Sequence, residues 1–186
     1  MGKFIVITGP SAVGKTVLVK TLLSKFPNST RLVTYTTRQP RPNEKNGIDY
    51  FFIPRQDFSK RLDNNDFFEY AEVYGNLYGS SKKKLDELLG KFDYVFAIID
   101  VQGAKTLKTK LPNATVIFIS PGSISDIKTR LQKIRKGIPN DELKNRLTKA
   151  EYELTLAESF DYSVKNLEGQ FETACNKVVE LLQKEN

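Results

Sequence analysis

The sequence predicts an α/β fold in which helices flank a parallel β-sheet, with an inserted antiparallel lobe and a helical lid. Three observations support this prediction. Short apolar runs suited to buried strands alternate with stretches long enough for helices. A glycine-rich loop joins the first strand to the first helix. Residues 34–81 interrupt the alternation with short strands and little helix, which favours an insertion.

The elements of the core follow from the apolar runs and from the glycines and prolines that end them. The run 94–100 is apolar until its final acid, as expected of a parallel strand buried on both faces. Ser81 is the predicted N-cap of helix 82–89, and Gly90 ends that helix. The predicted core strands are Phe4–Thr8, Arg31–Tyr35, Tyr94–Asp100, Thr115–Ile119 and Tyr162–Val164. The predicted core helices are 14–25, 82–89, 102–110 and 168–184.

The lobe and the lid have their own predicted elements. The lobe has strands at Tyr50–Ile53 and Phe67–Val73, a helix at 56–62, a proline-rich loop at 36–47 and a turn-rich hinge at Tyr74–Gly79. The lid has a helix at 123–134, a loop, and a helix from a cap at Asp141 to 159. We therefore expect one domain, 1–186, with a core at 1–33, 82–123 and 160–186, the lobe at 34–81 and the lid at 124–159.

Composition excludes several classes of protein. The 186 residues contain no histidine, which excludes a Ser-His-Asp triad and every histidine zinc site. The single cysteine, Cys175, falls among small apolar residues, so we expect it to be a buried packing residue. No apolar run approaches the ~18 residues of a membrane span. The first strand begins within three residues of the N-terminus, too early for a signal peptide, so we expect a cytoplasmic protein without membrane partners.

The net charge of +7 raises the question of a nucleic-acid partner. The basic residues are scattered among acids and do not form one block, so we expect no nucleic acid to bind. A cleft for nucleotide phosphates explains part of the excess charge. The sequence leaves open whether the protein is a monomer or a homodimer.

The turn after the first strand carries the clearest motif. Gly9–Thr16 fits Gly-x-x-x-x-Gly-Lys-[Ser/Thr], in which backbone N–H groups and a helix N-terminus hold phosphates. The pattern predicts that Lys15 contacts the β- and γ-phosphates of a nucleotide and that Thr16 binds Mg²⁺. Asp100, at the end of a buried strand, is placed to orient the same ion or its water. Two alternatives remain open: a plain glycine turn, and an acid that only caps the next helix.

Arginines and tyrosines elsewhere suit a second phosphate. Arg38 and Arg41 lie in the loop before Tyr50, and Tyr78 follows in the predicted hinge. Two guanidiniums hold a phosphate bidentately while tyrosine hydroxyls complete its oxygens. Exposed loop arginines that only face solvent are the alternative. The lid adds three arginines that either close over transferring phosphates or face solvent, namely Arg130, Arg135 and Arg146.

These segments resemble the guanylate kinase family. The resemblance runs from Gly9 to about Asn166 and rests on six segments in the family's order. They are Gly9–Thr16, Thr34–Arg41, Gly47–Phe52, Phe68–Ala71, Gly75–Gly79 and Asp100–Ala104. The resemblance implies a nucleoside monophosphate kinase that transfers the γ-phosphoryl group of ATP to GMP, and also to dGMP, with Mg²⁺ as cofactor.

The resemblance also assigns a role to each matched residue. It implies that the Glu69 carboxylate reads guanine, that Thr34 and Ser80 offer hydroxyls near the base, and that Asn166 lies on the adenine side. The implied ATP site is Gly9, Pro10, Ser11, Ala12, Val13, Gly14, Lys15, Thr16, Val17 and Asn166. The implied GMP site is Thr34, Arg38, Arg41, Tyr50, Glu69, Tyr78, Ser80 and Asp100. The implied catalytic residues are Lys15, Arg41, Arg135 and Arg146, and the implied metal ligands are Thr16 and Asp100.

Three departures from the family pattern bear on these roles. Ala12 replaces a common loop glycine, and a backbone conformation with negative φ at this position would allow the replacement. The lid segment Arg130–Gly137 is one residue longer than the family's pattern, so Arg135 aligns only after a shift. Leu167 follows Asn166 where an aspartate is usual. Two rival functions remain: a non-enzymatic guanylate-kinase-like module that binds phosphorylated proteins, and a kinase of the same fold with another acceptor.

Overall fold

A computed structural model describes residues 2–184, so residue 1 and residues 185–186 of the predicted core segments lie outside the described residues. Strands and helices alternate along most of this range, as the sequence predicts. The strands are β1 Lys3–Thr8, β2 Ser29–Arg31, β3 Tyr35–Thr36, β4 Phe51–Phe52, β5 Phe67–Val73, β6 Asn76–Ser81, β7 Tyr94–Ile98, β8 Thr115–Ser120 and β9 Tyr162–Lys165. The helices are α1 Lys15–Lys25, α2 Arg55–Asp63, α3 Lys82–Leu89, α4 Val101–Lys110, α5 Ile124–Ile134, α6 Asn140–Thr155, a 3₁₀ turn at Ala157–Ser159, and α7 Phe171–Lys184.

The larger sheet has five strands in the order β2-β7-β1-β8-β9. The β2–β7 and β8–β9 pairs are parallel, which confirms the predicted sheet type. All five residues of β7 are buried, as expected where helices cover both faces of a parallel sheet. Cys175 is fully buried on α7, so its predicted packing role is confirmed. Ser81 is also confirmed as a cap, since its side chain accepts from the Lys84 N–H.

The smaller sheet has the order β4-β3-β6-β5. Its β3–β6 and β5–β6 pairs are antiparallel as predicted, but β3 and β4 are parallel, so the sheet is mixed. Residues 37–50 separate β3 from β4, and a parallel pair needs a connection of about a dozen residues or more. Phe58, Phe67 and Leu77 form the buried core beneath this sheet.

Several predicted element boundaries are wrong. The strand predicted to reach Asp100 ends at Ile98, the helix predicted from 168 begins at Phe171, and the helix predicted to reach 159 ends at Thr155. Arg31–Tyr35 is not one strand, because β2 ends at Arg31 in the larger sheet and β3 begins at Tyr35 in the smaller one. The predicted hinge Tyr74–Gly79 is a turn only at Tyr74–Gly75, and the rest belongs to β6. Pairing with β5 across the whole strand outweighs the weak strand propensity of glycine, asparagine and serine.

The lid consists of α5 and α6. Ser123 caps α5, and the Asp126 side chain returns a hydrogen bond to the Ser123 backbone, which completes a capping box. The predicted cap at Asp141 is wrong. Helix α6 already begins at Asn140 behind Pro139, and Asp141 lies in the first turn, where a negative charge suits the helix dipole.

Contacts group the chain into two units. One unit holds the chain up to Val6 together with Phe26–Thr115, and therefore contains the whole smaller sheet. The other holds Ile7–Lys25 and the chain from Val116 onward, and therefore contains the glycine loop and the lid. The predicted division into core, lobe and lid stays a prediction. Among residues 2–184, none of the helices combines the length and apolar character needed to cross a membrane.

Candidate active site

The backbone of Gly9–Thr16 has the shape of a phosphate-binding loop. Gly9 and Gly14 adopt φ values of 131° and 93°, a region that favours glycine. A side chain at Gly9 would also collide with the Ile119 carbonyl oxygen on β8, so this glycine is required for space as well. The loop leads directly into α1, whose first backbone N–H groups have no partner within the helix. An anion at this point would accept from them.

Ala12 corrects an expectation. Its φ is +63°, not negative, so an alanine occupies the left-handed region at this point of the loop. The Ala12 methyl group packs against an apolar cluster of the lid helices, formed by Ile127, Leu131, Leu143 and Ala150. This packing offsets part of the roughly 1–2 kcal/mol that the left-handed conformation costs an L-residue.

Lys15 and Asn166 are both held on the glycine loop. The Lys15 Nζ donates to the carbonyl oxygens of Gly9 and Pro10 at 2.5 and 2.6 Å. The Asn166 Nδ2, just after β9, donates to the Val13 carbonyl at 2.9 Å. The buried Asn166 Oδ1 has no hydrogen-bond partner among residues 2–184, so it remains available to a donor on a ligand. Of the other residues implied in the ATP site, Ser11 is half-buried and Thr16 and Val17 are exposed.

The lid arginines separate into two groups. The carboxylate oxygen Oε1 of Glu142 accepts from Arg146 Nε at 2.8 Å and from Arg135 Nη1 at 3.0 Å, so one oxygen holds two guanidiniums together. Arg146 is almost buried, with its side chain 8% exposed. Arg130 instead donates to Glu168 and to the Asn166 carbonyl, which braces the turn between β9 and α7. The structure thus brings Arg135 and Arg146 together and leaves Arg130 apart from them.

Arg38 is held by a carboxylate in the proline-rich loop. Both its Nη1 and its Nη2 donate to the Glu44 carboxylate at 2.9 Å, and Nη1 also donates to the Gln39 carbonyl at 2.7 Å. A guanidinium has five N–H hydrogens, so the Nε–H and one Nη2–H are not taken by Glu44 or Gln39, and Tyr78 is a further hydrogen-bonding neighbour of this side chain. These two N–H groups share one edge, and the buried Nε has no hydrogen-bond partner in the described part of the chain. Such an edge suits bidentate binding of a phosphate.

Glu44 also organises Arg41. Its carboxylate accepts from the Arg41 backbone N–H at 2.7 Å and lies 3.9 Å from the Arg41 Nη1. Burial alone would raise the pKa of Glu44, but the hydrogen bonds from Arg38 and the Arg41 backbone outweigh it and lower that pKa. Glu44 is therefore a carboxylate at neutral pH. The Arg41 side chain is 52% exposed, so its guanidinium remains within reach of a ligand.

Tyr50 lies at the centre of the aromatic residues in this half of the site. The Arg38 guanidinium lies 5.4 Å from the centre of the Tyr50 ring, and Tyr78 meets the same ring edge-on at 5.9 Å. Burial raises the pKa of Tyr50, which keeps its phenol protonated and able to donate. The four residues predicted to hold a second phosphate, Arg38, Arg41, Tyr50 and Tyr78, thus belong to one region of one unit.

Glu69 is a buried acid with a strongly perturbed pKa. It is 2% exposed on β5, opposite Ser80 on β6. Burial, assisted by the charge of Asp100, raises the pKa of Glu69 to about 7. The nearby Ser80 hydroxyl partly opposes this rise in pKa, but neither Ser80 Oγ nor Glu69 Oε1 forms a hydrogen bond within residues 2–184. Near this acid, the buried oxygens Glu69 Oε1, Ser80 Oγ and Thr34 Oγ1 have no hydrogen-bond partner among residues 2–184. Unpartnered buried polar atoms of this kind are expected where a polar ligand binds.

Asp100 caps helix α4, so the capping role that the sequence left open as an alternative is confirmed. Its Oδ1 accepts from the Gly103 N–H at 2.8 Å. A side chain at Gly103 would lie 2.5 Å from Glu69 Oε2 and 3.1 Å from Asp100 Oδ1, so both carboxylates pack against this glycine. The role of Asp100 toward a metal or a nucleotide stays a prediction.

The residues predicted to bind Mg²⁺ have suitable chemistry. Thr16 offers a hydroxyl on the first turn of α1, and Asp100 offers a carboxylate after β7. Mg²⁺ prefers such oxygen ligands and is usually bound through one or two protein groups, substrate phosphates and water. In the described range 2–184, histidine, cysteine, aspartate and glutamate side chains form no cluster of three that could hold a metal by themselves. Each of these two donors, taken by itself, therefore suits a cation that arrives with nucleotide phosphates.

Sequence reasoning did not single out two residues of this geometry. Glu44 follows Arg41 by three residues, and Glu142 precedes Arg146 by four. These spacings allow ion pairs within a turn or a helix, and they are the only feature of the sequence that could have indicated that Glu44 and Glu142 bind these arginines. The signal is weak because many acids in this chain have a base at the same spacing.

The fold and the site define the class of protein, and comparison with known proteins defines the family. A parallel sheet with a glycine loop ahead of α1, together with a helical lid that carries arginines, is the architecture of a P-loop kinase. The guanylate kinase family model matches residues 1–185. The chain therefore belongs to the guanylate kinase family.

Individual relatives agree with this assignment. The chain is 41% identical over 185 residues to guanylate kinase of Nitrosomonas europaea, covering 100% of this chain and 90% of the relative. It is 36% identical to guanylate kinase of Thermotoga maritima, with 99% and 87% covered. The crystal structure of guanylate kinase from Anaplasma phagocytophilum has a TM-score of 0.79 and 29% identity, with 99% and 86% covered.

Proposed function

We propose that the protein transfers the γ-phosphoryl group of ATP to GMP, and also to dGMP, giving ADP and GDP. Its membership in the guanylate kinase family supports this reaction. The single observation that carries the choice of acceptor is the buried Glu69 carboxylate, whose Oε1 has no hydrogen-bond partner among the residues described. A carboxylate accepts from both N1–H and the exocyclic amine of guanine, and adenine offers no such pair of donors.

The acceptor half binds and orients GMP. The free edge of Arg38, the exposed guanidinium of Arg41 and the hydroxyls of Tyr50 and Tyr78 suit the oxygens of the GMP phosphate. Glu69 selects guanine, with Ser80, Thr34 and Asp100 as further contacts. Rejection of AMP follows because AMP would leave the buried Glu69 carboxylate without its donors, and such sites discriminate by orders of magnitude.

The donor half binds ATP and stabilises charge as the phosphoryl group moves. The backbone of Gly9–Thr16 holds the phosphates, and Lys15 exchanges its bonds to the loop carbonyls for bonds to phosphate oxygens. Arg135 and Arg146 face the developing charge from the lid. No general base is required, because the GMP phosphate oxygen is itself the nucleophile. Mg²⁺ bound with ATP would be held by Thr16 and by Asp100 or its water, and it would neutralise phosphate charge.

A coupled assay of ADP release tests the proposal. ATP with GMP and with dGMP should give rapid ADP release, whereas AMP, UMP and no acceptor should give little. Replacing Lys15 by Ala should reduce turnover by about 10²-fold or more, the usual cost of a preorganised charge partner, without loss of the fold. Stimulation by another nucleotide in place of GMP would favour a kinase with a different acceptor.

Absence of any stimulation would favour the phosphoprotein-binding module instead. The retained Gly14, Lys15 and Thr16 argue against that alternative. A cytoplasmic location, the lack of nucleic-acid partners and the choice between monomer and homodimer stay predictions from the sequence.

A further inference from the structure

Arg31 is a half-buried cation that the proposed mechanism does not use. It ends β2, and its Nη2 donates to the Asp49 carbonyl at 2.9 Å. Its Nε is buried and has no hydrogen-bond partner within residues 2–184. Burial lowers the pKa of Arg31, although the charges of Tyr50 and Asp49 oppose this shift. A strand position alone does not require such a group, because an apolar side chain would fill it at lower cost.

The contacts of Arg31 converge on Tyr50. Its guanidinium lies 5.9 Å from the centre of the Tyr50 ring. The carbonyl that it binds belongs to Asp49, the residue directly before Tyr50. One arginine therefore contacts both the backbone that leads into Tyr50 and the ring itself. Arg38 contacts the same ring at 5.4 Å, so two guanidiniums share one tyrosine.

The two arginines also act on the Tyr50 hydroxyl. Burial raises the pKa of Tyr50, and the charges of Arg31 and Arg38 both oppose that rise. A phenol near two cations is a stronger hydrogen-bond donor than one buried without them. Hydrogen bonds from the backbone and from side chains also hold the segment around Tyr50, in addition to the Arg31 contact. Those bonds include the Tyr50 carbonyl accepting from Gly47 N–H, and the Asn46 side chain accepting from Phe52 N–H.

We propose that Arg31 is a positioning residue for the acceptor phosphate and that it acts through Tyr50, whose ring and preceding peptide it fixes. This inference rests on the proposed function, in which Tyr50 donates to the GMP phosphate. A purely structural Arg31 that ties β2 to the lobe would also affect GMP binding if its loss loosened the loop. The two roles differ in whether the effect of Arg31 depends on the Tyr50 hydroxyl.

A double-mutant cycle with calorimetric GMP binding separates these roles. The variants are Arg31→Met, Tyr50→Phe and the double variant, each also measured for ADP release with GMP at saturating ATP. Arg55→Met is the matched control, because Arg55 is an exposed lobe arginine that contacts Glu72 and the Gly75 carbonyl, and its loss changes the net charge equally. Arg31→Lys keeps the charge and a donor for the Asp49 carbonyl. Thermal unfolding of each variant, with and without GMP, identifies any that fail to fold.

We expect Arg31→Met to weaken GMP binding on the order of tenfold, as coupling between contacting residues allows, with the KM for ATP unchanged. In the Tyr50→Phe background the same change should have an effect of less than about twofold, since the hydroxyl that Arg31 positions is gone. Arg31→Lys should recover most of the affinity, and Arg55→Met should match the unsubstituted protein.

An equal loss of GMP affinity in both backgrounds would overturn the inference and assign Arg31 a structural role. So would an unchanged affinity in Arg31→Met. If Arg31→Met does not fold, Arg31→Gln, which keeps a donor for the Asp49 carbonyl but removes the charge, is measured with and without Tyr50→Phe and decides the matter by the same comparison. Failure of the proposed function is distinct: GMP would bind with the expected coupling but would not stimulate ADP release. A protein that does not bind GMP at all would contradict both.

Discussion

Two pairs of arginines in this protein are each bridged by one glutamate, but the two bridges are built differently. In the lobe, Glu44 takes both Nη groups of Arg38, and both side chains are well shielded, at 17% and 15% exposed. In the lid, a single oxygen of Glu142 serves both Arg135 and Arg146, and the Glu142 side chain is 38% exposed. The lobe bridge is bidentate and rests on aromatic rings, whereas the lid bridge joins a loop residue to helix α6.

This difference suits different tasks. A bidentate pair packed against Tyr50 and Phe52 holds the Arg38 guanidinium in one orientation before any ligand arrives. A half-exposed carboxylate that shares one oxygen between two cations is easier to rearrange, because solvent compensates when a contact is lost. We infer that the acceptor half is preorganised for binding and that the lid arginines reorganise when phosphates compete for them. The predictions below test that contrast.

The largest expected effect separates binding from catalysis. Arg146→Met should lower kcat by about 10²–10³-fold with little change in the KM for GMP, because it removes charge needed only as the phosphoryl group moves. Arg38→Met should instead raise the KM for GMP while leaving the KM for ATP unchanged. Steady-state kinetics with each substrate varied in turn measures both. Equal changes in kcat for the two variants would contradict the inference that Arg38 acts in binding and Arg146 in catalysis.

Glu69→Gln should come next in size. GMP binding should weaken by about 10- to 100-fold, since a charged hydrogen bond contributes roughly 1.5–3 kcal/mol. ATP binding should not change, because Glu69 lies in the acceptor half. Calorimetry with GMP and with an ATP analogue measures both affinities. An unchanged affinity for GMP would remove Glu69 from base recognition.

The same substitution should change how stability depends on pH. The pKa of Glu69 is raised to about 7 in the folded protein, against about 4.5 when unfolded. The folded state therefore loses stability as pH rises from about 4.5 to about 7, and regains it on acidification. At 1.36 kcal/mol per pKa unit, Glu69→Gln should stabilise the ligand-free protein at pH 8 by up to about 3 kcal/mol. Urea unfolding at pH 5 and pH 8 tests the sign, and a gain that is larger at pH 5 would contradict it.

Those parts of the fold and of the candidate site that depend on local sequence patterns could be predicted from the sequence. The motif at Gly9–Thr16 and the strand Phe67–Val73 depend on spacing and composition alone, and the strand has the predicted bounds. Strand β6 was missed because it contains Gly79, a residue that is unfavourable in strands. Glycine is required there by tertiary packing, since a side chain at position 79 would lie 2.9 Å from the Phe58 ring. The acids that bridge the arginines were missed for the same reason. Which carboxylate reaches Arg38 or Arg146 is decided by tertiary packing.

A moderate effect should follow from neutralising the two bridges. Glu44→Gln should weaken GMP binding by about tenfold, because it removes a shielded, charge-assisted bidentate contact from Arg38. Glu142→Gln should change kcat by less than about fivefold, as expected of a half-exposed ion pair that phosphates replace. Matched assays at low and high salt test the contrast. The lid variant should show the smaller effect, and the reverse order would refute the inference that the lobe is the preorganised half.

The smallest effect is expected at Ala12, where three terms nearly cancel. Ala12→Gly removes a left-handed alanine that costs roughly 1–2 kcal/mol. It also loses a methyl contact with the lid cluster, worth about 0.8 kcal/mol, and adds about 0.5–1 kcal/mol of backbone entropy to the unfolded state. The free energy of unfolding should therefore change by less than about 1 kcal/mol. Ala12→Val should destabilise by more, because a β-branched residue tolerates φ of +63° poorly. Denaturant unfolding of both variants measures the balance, and a valine variant as stable as the glycine variant would show that packing against the lid, rather than backbone conformation, governs this position.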